Sequence, residues 1–259
     1  MKYALIAATA FVAAPAMAGL VDTQSDNDAA NSNVVDDGVI NPGEYSATYT
    51  GGGSGFGGPL GGGSLSFDAD SSNLYIGFEP QAGWDGSNNV VLFLDTRPGG
   101  VTDDTSLSDM GDPGRNLSSN LTRDVQDNYA IGADFSVVIG GFGVVVFELA
   151  DDGTGALVFT AFEGDQVGGG ASETTLSLAA LGATGTVDFF AAFGSDTNFI
   201  SNETIPASPS INGGNNPGFD NDGTGNPVDW VDFNRFNIPA PGAVALFGLG
   251  GLAAARRRR

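Results

Sequence analysis

The chain contains no cysteine and no histidine, and its one lysine, Lys2, lies at the extreme N-terminus. Without cysteine there are no disulfide frameworks, thiol nucleophiles or zinc-finger spacings. Without histidine no mechanism can use an imidazole base. Basic residues are also scarce: nine Lys and Arg stand against 31 Asp and Glu, for a formal charge of −22. Five of the nine sit at the two ends, as Lys2 and Arg256 to Arg259. Arg97, Arg115, Arg123 and Arg235 are therefore the only cations among all 31 carboxylates of the body. A surface this acidic repels phosphate backbones, so nucleic acid is excluded as a partner.

The two ends have the pattern of membrane-handling signals. Lys2 opens a short basic region, and the apolar stretch ALIAATAFVAAPAMA ends at a small-x-small site, Ala16-Met17-Ala18. This is a secretory signal peptide over residues 1–18, with signal peptidase expected to cut before Gly19. A buried helix is a poor alternative, because Pro15 breaks it and polar residues follow. At the C-terminus, Gly242 to Ala255 is a 14-residue run without charge, followed at once by Arg256, Arg257, Arg258 and Arg259. As a helix it would span about 21 Å, short of a hydrocarbon core of about 30 Å. The arginines can snorkel to the cytoplasmic interface and fix the orientation.

Prolines before a short Gly/Ala/Leu-rich span and a terminal arginine cluster resemble the PEP-CTERM sorting domain of Gram-negative bacteria. The resemblance covers residues 239–259. The chain departs from the family at the signature, where Pro239-Ala240-Pro241-Gly242 stands in place of the usual Pro-Glu-Pro. The resemblance implies transient insertion in the inner membrane and cleavage near the prolines by an exosortase-type enzyme. Delivery to the cell surface or to an exopolysaccharide matrix would follow.

Between these ends, residues 19–238 show no sustained helical period. Short apolar or alternating runs recur instead, separated by Gly, Asn, Asp and Pro. They fall at 64–70, 73–79, 89–96, 133–140, 142–149, 156–162, 174–181 and 186–194. Gly140-Gly141 and the stretch Asp151 to Gly155 are turn signals between them. About eight such strands predict an all-β fold, a single antiparallel β-sandwich of jelly-roll type. With 18 Phe against two Trp, the aromatic content suits a phenyl-rich core. Residues 50–64, 97–128 and 202–227 read as loops.

The order of strands also resembles the β-sandwich of family-nine carbohydrate-binding modules and DOMON-like surface domains. The run DDGVINPGEY (36–45) precedes NLYIGFE and NVVLFLDT, and later comes ETTLSLAALG (173–182). The resemblance covers roughly residues 34–206. It implies glycan binding on aromatic surfaces, for which Trp84 and Tyr75 are the candidates; Trp230 lies outside it. Haem-binding relatives need His or Met ligands, and Met110 alone is too little for that.

For a metal, DNDGTGNPVD places Asp220, Asp222, Asn226 and Asp229 around a glycine turn, a donor set that suits Ca²⁺. It departs from the EF-hand loop, since Gly223 comes early and no Glu closes it. The same residues are good turn formers. Asp22, Asp26, Asp28, Asp36 and Asp37 are a weaker second cluster, read chiefly as a solvated linker. For catalysis, neither GGSGF (52–56) nor FGSDT (193–197) matches Gly-x-Ser-x-Gly, and no histidine serves either. Removal of Lys2 would leave the mature body without a lysine base or Schiff-base nucleophile. The expectation is a non-enzymatic, exported matrix or envelope protein, with exopolysaccharide binding as the alternative.

Overall fold

The computed structural model describes residues 19–27, 31–52, 63–84, 86, 88–101, 107, 109, 111–119, 131–149, 157–163, 170–195, 200–206 and 232–238. In chain order the strands are β1 (Gly19–Ser25), β2 (Ala47–Thr50), β3 (Ser64–Ala69), β4 (Asn73–Glu79), β5 (Asn88–Asp95) and β6 (Phe135–Gly140). They continue with β7 (Gly143–Leu149), β8 (Leu157–Glu163), β9 (Ser172–Ser177), β10 (Thr186–Ser195), β11 (Ile200–Ile205) and β12 (Asp232–Asn237). Two short helices interrupt them, α1 (Pro113–Ser119) and α2 (Leu178–Leu181).

The strands form two sheets, and the fold is an all-β sandwich. The larger sheet runs β1-β12-β10-β5-β6-β7-β8, with β11 also pairing β10; the smaller runs β2-β3-β4-β9. Every pairing is antiparallel except that of β1 with β12. Alternation along the strands sends Leu65, Phe67, Leu74, Ile76 and Phe78 of the small sheet inward. They meet Val90, Leu92, Leu94, Val137, Val144, Phe189 and Phe236 of the large one. The seam between the sheets is aromatic. The Phe67 and Phe189 rings stack at 4.7 Å, and Tyr49 meets Phe189 edge-on at 4.9 Å.

The large sheet is apolar on its outer face too, which explains why VVLFL, SVVI and FFAAF are nearly continuous apolar runs. Val91, Phe93, Val138, Val145, Phe147, Phe190 and Ala192 form a second core there. Part of its cover comes from within and just after the stretch expected as a loop at 97–128. Val101, Leu107, Leu117 and Ile131 close over the sheet, and α1 lies within the stretch. Asp112 caps α1 by accepting the Arg115 N–H at 2.9 Å. Ser136 on β6 donates to Ser118 at 2.6 Å and fastens the helix to the sheet.

A polar strap crosses the outer face of the small sheet. Glu173 on β9 is fully buried and accepts the N–H groups of Asp37 (3.0 Å) and Gly38 (2.7 Å) and the Tyr45 hydroxyl (2.8 Å). Ser32 and Ser46 both donate to Asp68 on β3. Glu44 turns back to accept from Val35 and Asn41 at 2.8 and 2.7 Å. Burial pushes the Glu44 carboxyl up, but these two N–H groups outweigh it and hold the pKa below its ordinary value. The acidic stretch expected as a solvated linker is thus partly structure: Asp22 lies in β1, and Asp37 hangs from a buried carboxylate.

Three further expectations are corrected. The apolar run at 174–181 is a strand only as far as Ser177, whose hydroxyl then accepts the Ala180 N–H and starts α2. Gly182 ends that helix in the left-handed region at φ 68°. The stretch expected as a loop from 202 is instead strand as far as Ile205, in β11. Finally, β1 and β12, not expected as strands, join the large sheet and pair with each other in parallel, unlike the antiparallel pairing expected throughout.

Candidate functional site

A polar concavity opens where β5 ends and β10 begins. It holds about 390 Å³ and is lined by Asp95, Thr96, Arg97, Pro98, Thr184, Gly185, Thr186 and Asp188. The sheet register brings the carboxylates together. Asp188 of β10 stands opposite Asp95 of β5 on one side and opposite Arg235 of β12 on the other. All three belong to the outer face, two residues along from the second-core positions Phe93 and Phe190.

Each charged group has a distinct environment. Asp188 takes both of its hydrogen bonds from Arg235, at 2.6 Å to Nε and 2.6 Å to Nη2. Asp134, buried beside the pocket, accepts the N–H groups of Thr96 (2.8 Å) and Arg97 (3.0 Å) and pairs with Arg97 Nε at 3.4 Å. Arg97 reaches on to Glu148 and lies over the Phe135 ring at 4.9 Å. Asp95 accepts the Gly132 N–H at 3.0 Å. Half-buried, and facing Asp134 and Asp188, it is pushed up to about 6. Burial is the main cause, with repulsion from the two aspartates added and the Gly132 N–H and Arg235 opposing.

A second concavity, of about 410 Å³, is an apolar groove between α1 and β7–β8. Gly114, Phe142, Val145, Phe147 and Phe159 line it, with Arg115 lying over the Phe147 ring.

The residues singled out from the sequence do not gather at either place. Trp84 is a core residue, only 5 % exposed. It packs edge-on against Phe78 at 5.5 Å and donates Nε1–H to the Asn88 carbonyl at 2.9 Å. Neither face of its ring is free to stack on a sugar. Tyr75 is half-buried on the outer side of the small sheet, and its hydroxyl donates to Asp70 at 2.8 Å. Gly19 is the first residue of β1. Ala16, Ala18, Asp220, Asp222, Asn226, Asp229, Pro239 to Gly242 and Arg256 to Arg259 lie outside the described residues. Among the described residues, no three acidic side chains converge as a metal site, and no helix is long and apolar enough to cross a membrane.

The pocket's Asp95 and Asp188, and Arg235 that holds Asp188, share no local motif and so carry no joint signal in the sequence. The available signal was an aspartate at the rim of each of two long apolar strands, and only the register shows that they face each other. A search of family models, curated proteins and solved structures finds no match to this chain.

Proposed function

We propose that the chain is a non-enzymatic protein of the bacterial envelope or extracellular matrix, exported by its N-terminal signal and sorted by its C-terminal PEP-CTERM-like signal. One observation carries this reading. Among the described residues the first strand, β1, starts at Gly19, the expected cleavage site, and the last, β12, ends at Asn237, just before the proline signature. The signal-peptide site immediately precedes β1, and Pro239 follows β12 after a single residue. Cuts at both places would leave β1 to β12 in one piece. Signal peptidase and an exosortase-type enzyme are the processing partners, and the inner membrane is a transit station. Mass spectrometry of the mature protein tests this. A chain starting at Gly19 and ending between Pro239 and Gly242 is the expected result; a mature chain that keeps Arg256 to Arg259 overturns it.

Glycan binding is the second reading, and the polar pocket favours it. Exposed Thr184 and Thr186 line the pocket together with Asp95 and Asp188, a set of hydroxyl and carboxylate side chains suited to a polyol. The extracellular polysaccharide expected around a sorted matrix protein would supply such a ligand. Affinity electrophoresis in exopolysaccharide gels tests it. Retardation that Thr186→Val and Asp95→Ala each weaken supports the reading, and free migration of the unmodified protein rejects it.

A further inference from the structure

We propose that the polar pocket between β5 and β10 selects an amino sugar, whose ammonium group pairs with Asp95. The proposal rests on the glycan-binding reading and adds the charge of the ligand to it.

The pocket lining carries two carboxylates at directly opposed positions. The antiparallel register sets Asp95 against Asp188, and like charges in such a cross-strand pair repel. Only one of the two is neutralised. Arg235 holds Asp188 through two charge-assisted hydrogen bonds. Arg97, which also lines the pocket, is taken up by Asp134 and Glu148. Asp95 receives a neutral donor, the Gly132 N–H at 3.0 Å, and no ion pair among the described residues includes it. Four carboxylates, of Asp95, Asp134, Glu148 and Asp188, thus share two guanidinium groups, and the one left over lines a concavity of about 390 Å³. A ligand that brings a cation completes the row; a neutral one must be desolvated beside an unmatched charge.

The donor set favours an organic ammonium over a metal ion. Calcium takes about six to eight oxygens, whereas Asp188 has its oxygens on a guanidinium and no three acidic side chains converge among the described residues. An ammonium has three donors, which one carboxylate and neighbouring hydroxyls can satisfy. Asp95 supplies the first, and exposed Thr184 and Thr186 line the same pocket. Their hydroxyls also serve the ring of a sugar, which a bare amine lacks. The volume lies in the range of small-molecule sites, about 300–1,000 Å³. In the free chain Asp95 keeps its proton to about pH 6, because of its burial and the repulsion from Asp134 and Asp188, with the Gly132 N–H and Arg235 opposing. An ammonium beside it favours the ionised form.

Calorimetric titration of the exported protein with three probes tests the pairing: a glucosamine trisaccharide, its N-acetylated counterpart and trilysine. At pH 7 the amino trisaccharide is expected to bind about tenfold tighter than the N-acetylated one, which has the same rings without the charges. Asp95→Asn should abolish that preference, and it relieves the cross-strand repulsion, so its folding is not at risk. Glu79→Gln removes an exposed carboxylate outside the pocket and should keep the preference. Acidification to about pH 5 should weaken it as Asp95 takes up its proton. Thr186→Val should weaken the amino trisaccharide and leave trilysine unchanged. Equal losses in Asp95→Asn and Glu79→Gln would mean that the acidic surface as a whole attracts amines, and overturn the site. Trilysine binding as tightly as the amino trisaccharide overturns the sugar. Heat from calcium chloride alone that Asp95→Asn removes assigns the pocket to a metal instead. If both trisaccharides bind equally and both weaken in Thr186→Val, the charge selection falls and the glycan reading stands. If neither binds, the pairing falls, and the exopolysaccharide gel decides the broader reading separately.

Discussion

Asp188 on β10 grips Arg235 on β12 through two hydrogen bonds of 2.6 Å, to Nε and Nη2 of the guanidinium. Asp188 also faces Asp95 across the next strand pairing, so Arg235 is the cation nearest to two carboxylates in one row. Arg235→Ala is expected to destabilise the fold by about 1–3 kcal/mol, since it leaves the largely buried Asp188 with an unsatisfied charge. Arg235→Lys should restore only part of this, because an ammonium cannot make the two-pronged contact. Urea unfolding of the three proteins checks the order.

The same row predicts a pH dependence. Asp95 holds its proton up to about pH 6 in the folded chain, against an ordinary value of 3.8. An acid that binds its proton more tightly when folded adds stability below its unfolded pKa and loses it as pH rises through the folded one. Asp68, raised mainly by burial, acts in the same direction, whereas Glu44 and Asp70 are lowered and act oppositely. The clean measurement is therefore a difference. Tm of Asp95→Asn minus Tm of the unmodified protein should be small near pH 4 and grow through about pH 6 to a plateau near neutrality. A flat difference would mean that Asp95 ionises without cost. Added salt should shrink the plateau, since part of it is repulsion from Asp134 and Asp188 at a half-exposed site.

Strand content was legible because apolar runs bounded by Gly, Asn and Asp have few other interpretations. The strands that were missed have a common cause. GLVDTQS, ISNETI and DFNRFN are mostly polar and hold no apolar run, and they are strands because a neighbour supplies the pairing. The run TTLSLAAL misled in the opposite direction. Its apolar content is continuous, and only the Ser177 cap and Gly182 mark the change to helix. The outer core was half legible: VVLFL shows burial on both faces, but nothing local names Val101, Leu107, Leu117 and Ile131 as its cover. The pocket was least legible, since its two carboxylates, Asp95 and Asp188, come from strands far apart in sequence and joined only by register.

The strap over the small sheet makes a separable prediction. Glu173 offers two oxygens to three donors: the N–H groups of Asp37 and Gly38 and the Tyr45 hydroxyl. Glu173→Gln replaces one oxygen with an amide that donates, and should cost about 2–3 kcal/mol. The damage should be local, appearing as early proteolytic cleavage within 31–46. Gly77→Ala attacks the same contact from below, because a Cβ there would lie 2.9 Å from the Tyr45 ring carbon Cζ and its hydroxyl. Both variants should release the strap. Resistance of 31–46 in both would show that other contacts hold it.

Trp84 provides the last prediction, and a warning about the obvious glycan experiment. Its ring is part of the inter-sheet core, held edge-on by Phe78 and by the Asn88 carbonyl. Trp84→Ala would open a cavity and is expected to cost about 3–5 kcal/mol, enough to abolish any binding by unfolding alone. Trp84→Phe keeps a ring in the core, losing part of the packing and the indole hydrogen bond. It should melt earlier than the unmodified protein, by about 2–6 °C, yet migrate unchanged in an exopolysaccharide gel. Thr186→Val reverses the pattern: the side chains are similar in volume, so Tm should move little while retardation weakens. If Trp84→Phe instead loses retardation without losing stability, the indole contacts the ligand directly and the polar pocket is not the binding site.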